Sequence, residues 1–259
     1  MLIAPRALNK EPIFVSQLVQ NAMNSIALST LEKMLNSFEF SDEDLQQLQQ
    51  TVRQTDLQTG FRDAMLGERV TGMQVIRNPG QLGSEVPVRL PNTNEDLAFY
   101  LKYMGKWTAA SREPFPKALD RVELISQEFE EELAGSGFAR VRYQLTALLL
   151  PAMDSIFEAT ARGVAATQAT ETFIAVERFR KQQGRFPDSL DALVPEFLSE
   201  VPMDPFDGKP LRYVITDDAA LIYSIGRNRI DDNGTLGDER LDEVFRLELK
   251  KTTGAEPTE

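Results

Sequence analysis

From Ala152 to Gln183 the chain runs for 32 residues without a proline, and a helix of that length constrains the rest of the fold more than any other feature. Met153, Ile156, Phe157, Ala161, Val164, Ala165, Ala169, Phe173, Val176 and Phe179 recur at helical spacing and make its inner stripe. Pro151 suits the first turn, where a missing N–H costs no hydrogen bond. Gly184 supplies the stop, and Arg178, Arg180 and Lys181 favour the negative C-terminal end. At 1.5 Å per residue the helix extends roughly 48 Å. That is longer than one small domain, so it is expected to span two packing environments.

The segment before it reads as helical. Residues 13–37 place Ile13, Leu18, Ala22, Ile26, Leu31 and Leu35 near i, i+4 steps, with Asn21, Asn24 and Ser25 expected on the other side. This pattern starts almost at Met1, which reads as a domain beginning upstream of this chain. Ser41 caps a second helix, with Asp42, Glu43 and Asp44 at its positive end and Leu45, Leu48 and Val52 inward. Asp56 starts a third, using Phe61, Met65, Val70, Met73 and Ile76; Gly67 and Gly72 weaken it or allow close helix contact. Residues 78–94 are rich in Pro, Gly and Asn and read as a long loop. Asn94 caps a helix carrying Leu97, Tyr100, Leu101, Met104 and Trp107. Another, over about 116–134, carries Leu119, Val122, Leu124, Ile125, Phe129 and Leu133.

Beyond Gly184 the period changes. Leu190, Leu193 and Val194 mark a short helix. Leu211, Tyr213 and Ile215 alternate with polar or smaller residues as a strand does, Asp217-Asp218 turns the chain, Leu221, Tyr223 and Ile225 make a second strand, and Phe245, Leu247 and Leu249 a third. The expected class is α+β, mainly α. A helical bundle region (1–150, N-terminally incomplete) precedes the long helix and a small three-stranded antiparallel sheet (151–251), and 252–259 form a flexible tail.

Composition narrows the chemistry. The 259 residues include neither Cys nor His. Disulfides, thiolate chemistry, Cys-ligated zinc and Ser-His-Asp catalysis are therefore excluded, and any metal site must be built from oxygen, which points to calcium or magnesium. The net charge of -12 is unevenly spread: residues 188–259 carry 17 acidic and 8 basic side chains, residues 1–187 carry 23 and 20. That balance disfavours nucleic acid and anionic membranes, and suits a cation or a basic partner. The longest apolar stretch, Leu145 to Met153, is broken by Thr146 and Pro151 and falls short of the ~20 residues a membrane span needs. MLIAPRALNKEP holds no continuous apolar region of the signal-peptide kind.

The run from Ala175 to Gly226 carries a resemblance. Gly184-Arg185-Phe186-Pro187 ends the long helix, Leu190 and Leu193 follow, then Pro202-x-Asp204-Pro205-Phe206-x-Gly208, a strand ending in Tyr213, and Tyr223-Ser224-x-Gly226. In this order the elements resemble the C-terminal domain of the major type II secretion pseudopilin (protein G), over about 152–249. The family prefers Trp where Phe206 stands. Its members open with a basic leader and an almost purely apolar membrane helix; here about 150 residues precede the corresponding helix, and Asp154, Glu158 and Arg162 interrupt it. The resemblance implies a small sheet packed on the end of the long helix, an address in the bacterial envelope, and calcium in the loop after Tyr-Ser-x-Gly. Oxygen donors there are Asn228, Asp231, Asp232, Asn233, Asp238 and Asp242. Asn228-Arg229 replaces the family's Asp-Gly, and Arg227 and Arg229 are positioned to neutralise the loop.

The functional expectation is a non-catalytic scaffold or interaction protein with protein partners. One alternative is a peptide- or small-ligand-binding groove between helices, lined by Tyr100, Tyr103 and Trp107, although those spacings favour core packing. The other is a hydrolase using carboxylates such as Asp217-Asp218 or Asp231-Asp232. Glu68-Arg69 reads as a structural ion pair, and Glu128, Glu130, Glu131 and Glu132 as a solvated helix face.

Overall fold

The computed structural model describes residues 13–82, 93–135, 138–150, 153–217, 219–235 and 243–248. Among them the chain is mainly helical with a small antiparallel sheet. The helices are α1 (Phe14–Ser37), α2 (Asp42–Arg53), α3 (Leu57–Arg77), α4 (Thr93–Ala110), α5 (Lys117–Ala134), the short α6 (Ala139–Arg142) and α7 (Gln144–Leu149), and the long α8 (Met153–Gln183). No described helix is long and apolar enough to cross a membrane.

Local signals account for most boundaries. The Ser41 hydroxyl accepts from the Asp44 N–H while Asp44 reaches back to the Ser41 N–H, a reciprocal cap for α2. Asp56 accepts from the Thr59 N–H at the start of α3. Gly184 ends α8 at φ +72°, a left-handed value that suits a residue without Cβ, and its N–H bonds the Arg180 carbonyl. The expected helix around Leu190 is a single 3-10 turn, Leu190–Leu193.

Strand β1 (Arg212–Ile215) pairs antiparallel with β2 (Ala219–Ser224), placing Arg212 opposite Tyr223; on its other edge β2 meets β3 (Glu243–Glu248), with Ile222 opposite Phe245. Every residue of β2 is buried, which fits an apolar run covered on both faces. The sheet lies against α8, and β3 also against α1.

Two apolar cores form along α8. The first gathers Phe61, Met65, Tyr100, Tyr103, Trp107 and Phe129 around Phe157, Ala161 and Ala165 of α8. The second gathers Leu28, Leu35, Leu45, Phe186, Leu193 and Ile222 around Ala169, Phe173, Val176 and Phe179. One helix thus serves two packing environments, and α1 and α2 share the second with the sheet. Crossing the other way, Phe206 and Ile225 from the C-terminal third enter the first core.

Helix α1 departs from its sequence pattern. Gln17, Gln20, Asn21 and Asn24 are buried, whereas Val15 is 66% exposed, Ile26 59% and Leu18 40%. The inward side faces polar partners: Asn24 donates to the Thr167 hydroxyl on α8 (3.2 Å), and Gln17 to Asn21 (3.3 Å). Apolar and polar residues alternate all around this helix, so periodicity finds the inward side only toward its C-terminal end, where Leu31 and Leu35 are buried as expected. Val70 and Leu124, also expected inward, are exposed.

Gly72 lets α3 and α4 approach closely. A Cβ there would overlap the phenol of Tyr100, which is buried and donates from its hydroxyl to the Glu68 carbonyl at 2.7 Å. Neither the ring nor the backbone behind it can withdraw without breaking that bond. Gly72→Ala is therefore expected to destabilise by about 2–3 kcal/mol, despite alanine's better helix propensity. An unchanged or raised urea midpoint would refute the close contact.

Candidate functional site

The loop after β2 was the sequence's candidate. Gly226 and Gly234 take φ +66° and +65°, and two non-glycine residues, Arg229 (+55°) and Asn233 (+58°), also lie in the left-handed region. Asp231 is held by the Tyr223 hydroxyl and the Asn233 N–H, each donating to its Oδ1 at 3.0 Å, and its Oδ2 lies 3.7 Å from Arg212 Nε. Asn228 donates to Asp232 Oδ2 (2.9 Å) and accepts from the Ile230 N–H (3.1 Å). These bonds turn the four described donors into the loop's own scaffold. Among the described residues no group of three acidic side chains is placed to hold a metal ion; Asn228, Asp231, Asp232 and Asn233 supply two of the carboxylates. Asp238 and Asp242 lie outside the described residues.

The loop arginines do not neutralise it, contrary to expectation. Arg227 Nε reaches Glu158 Oε2 on α8 at 3.0 Å, and Arg229 Nη1 reaches Asp120 Oδ1 on α5 at 2.6 Å. They fasten the loop to the helices.

Between the loop, α5 and α8 lies a cleft of about 400 Å³. Leu119, Val122 and Phe206 form its apolar side; Glu123, Asp154 and Glu158 bring carboxylates, and Arg227 and Arg229 close the rim. Asp154 Oδ1 accepts from the Ser126 hydroxyl at 2.7 Å. Burial pushes the Asp154 carboxyl above its ordinary value; the Ser126 bond opposes this, Glu123 adds to it, and Arg227 offsets part. Read from the sequence, Asp154 is only an interruption of an apolar helix face. Its one readable signal was an acid in the first turn of α8, a position that needs no site to explain it.

Supporting groups sit behind the loop. Arg212 lies beside Asp207 and Asp204. Burial works against ionising Asp207, but hydrogen bonds from Arg212 and the Lys209 N–H outweigh it and hold its carboxyl below the usual range. Asp204 is wholly buried and accepts from the Phe206 and Ile225 N–H groups and the Ser224 hydroxyl, each at 2.9 Å. It ties the Pro-x-Asp-Pro turn to the end of β2.

Comparison with known proteins finds no family model, curated protein or solved structure that matches the chain.

The remaining sequence candidates fall into place by contact. Tyr100, Tyr103 and Trp107 are buried core residues, Tyr103 and Trp107 packed edge-on against Phe129 and tilted against each other. Glu68 accepts the Phe14 N–H at 2.8 Å rather than pairing with its neighbour Arg69, which adjacent positions on a helix do not favour. Glu128 and Glu132 pair with Lys106 and Lys102 across α4 and α5, and Glu130 with Arg140 at 3.0 Å, an ion-paired surface. Asp217 follows β1, and Asp218 lies outside the described residues.

Proposed function

We propose that the protein is a non-catalytic structural or interaction protein of the bacterial envelope, its C-terminal third being a module of the major type II secretion pseudopilin kind. What supports the reading is the way residues 186–226 fold back onto the C-terminal half of α8. Phe186 shares one apolar core with Phe173, Phe179 and Leu211, and the Tyr213 hydroxyl donates to the Pro187 carbonyl at 3.1 Å. Those residues carry the sequence resemblance. The shared function is an analogy of fold. The address is tested by fusing alkaline phosphatase, active only outside the cytoplasm, to the C-terminus of the gene as encoded. Activity in intact cells is expected; a fusion active only as cytoplasmic β-galactosidase would sink the envelope reading.

Calcium belongs to the same proposal and depends on Asp238 and Asp242 adding their carboxylates to Asp231 and Asp232. Binding to the folded state alone raises the melting temperature by mass action. Calorimetry with millimolar calcium against chelator should separate the two melts by a few degrees, and the separation should vanish in Asp231→Asn/Asp232→Asn. Coincident melts would remove the metal.

The cleft favours a second reading, that of a ligand-binding protein, at a place other than the Tyr100–Trp107 strip.

A further inference from the structure

We propose that the cleft between α5, α8 and the loop after β2 binds an alkylammonium group, a protonated amine on an aliphatic stem. This goes beyond the envelope reading and does not rest on it. The volume, about 400 Å³, lies within the range of small-ligand pockets. Leu119, Val122 and Phe206 offer the stem an apolar bed.

The charges decide the sign. Arg227 is taken by Glu158 and Arg229 by Asp120, so the rim arginines are committed and an anion finds no free cation. Glu123 and Asp154 are left over: among the described residues neither forms an ion pair. Asp154 has surrendered part of its hydration and keeps one hydroxyl donor; Glu123 adds to the cost of its charge, and Arg227, shared with Glu158, offsets only part of it. A desolvated carboxylate in that position is costly until a cation joins it. Its place in the first turn of α8 would be served equally well in open water.

Other cations fit less well. Quaternary ammonium calls for several aromatic faces, and the cleft offers Phe206 alone. Calcium calls for six to eight oxygens, where the cleft offers two uncommitted carboxylates over an apolar bed. A primary ammonium has three donors, enough to bridge Asp154 and Glu123. A free aliphatic amine and a lysine of a partner peptide offer the same stem and the same ammonium chemistry.

Titration calorimetry on the full chain tests this with n-hexylamine, the peptide acetyl-Leu-Lys-Leu-amide, n-hexanol and hexanoate. At least one amine probe should bind in the millimolar range or tighter, hexanol at least about tenfold more weakly, and hexanoate not measurably. A peptide that binds more tightly than hexylamine assigns the site to a partner's lysine; the reverse order assigns it to a free amine. Asp154→Asn keeps the side-chain shape and an acceptor for Ser126. It should weaken the amine about tenfold or more while raising the melting temperature at neutral pH, because a half-buried charge is gone. Arg227→Ala frees Glu158 and should tighten binding. Absence of binding by both amine probes, equal binding of hexanol, or an Asp154→Asn chain that binds unchanged would each overturn the site. A lowered melting temperature with unchanged binding would leave Asp154 a purely structural role.

Discussion

Asp204→Ala is expected to remove about 3–5 kcal/mol of folding free energy. The carboxylate has no solvent contact, and its two oxygens accept from Phe206 N–H, Ser224 Oγ and Ile225 N–H, with Arg212 Nη1 at 3.4 Å. Alanine supplies no acceptor, so the two amides remain buried and unpaired, at about 1–3 kcal/mol each. Only Ser224 can turn elsewhere, and Arg212 keeps Asp207. Asp204→Asn should fall between wild type and alanine, because its amide must present NH₂ to one of those donors. Damage should reach past the turn. The same two backbone amides position Phe206 and Ile225, which the C-terminal third lends to the first core. Urea unfolding measures the loss; a change below about 1 kcal/mol, within the spread of ordinary surface substitutions, would show that the network is replaceable.

The contrast between α8 and α1 explains how much was legible beforehand. Residues 153–183 announced a helix because their apolar positions repeat at one period and Gly184 closes it, and the two cores along α8 follow from its length. Ser41 and Asp56 were readable because a cap is a contact within three residues. In α1 the same reasoning placed Leu31 and Leu35 inward correctly but missed the buried polar side chains of the first half. Asn24 is buried because Thr167, 143 positions away, receives its amide, and no local pattern contains that partner. The site shows the same division. Arg227 and Arg229 stood out as departures from a loop pattern, but their direction was set by Glu158 and Asp120 on two other helices. Asp154 became a candidate only once Glu123, Ser126 and Phe206 surrounded it. Spacing along the chain reports what a residue can do with its neighbours in sequence; a cleft made by three separated elements lies beyond it.

Asp96 makes the second large prediction, and it too concerns a cap supplied from a distance. α7 has six residues, and Tyr143 at its start provides no side-chain cap. A helix so short does not persist alone in water. From α4, Asp96, 3% exposed, accepts from the Leu145 N–H at 2.9 Å, the Thr146 N–H at 3.1 Å and the Thr146 hydroxyl at 2.6 Å. The carboxylate both meets the orphan donors and sits at the positive end of α7. An exposed cap such as Ser41 is worth about 1 kcal/mol, because water replaces what is lost. Water cannot enter at Asp96, so Asp96→Ala should cost about 2–4 kcal/mol. Asp96→Asn, keeping one acceptor oxygen for three donors, should cost about half that. The loosened segment carries Leu145 and Leu150, both in the first core beside Met153, where α8 begins. Hydrogen exchange should therefore quicken at the Leu145 and Thr146 amides well before global unfolding. Unchanged exchange there, together with an unchanged urea midpoint, would mean that α7 is held by its leucines and that Asp96 merely fills space.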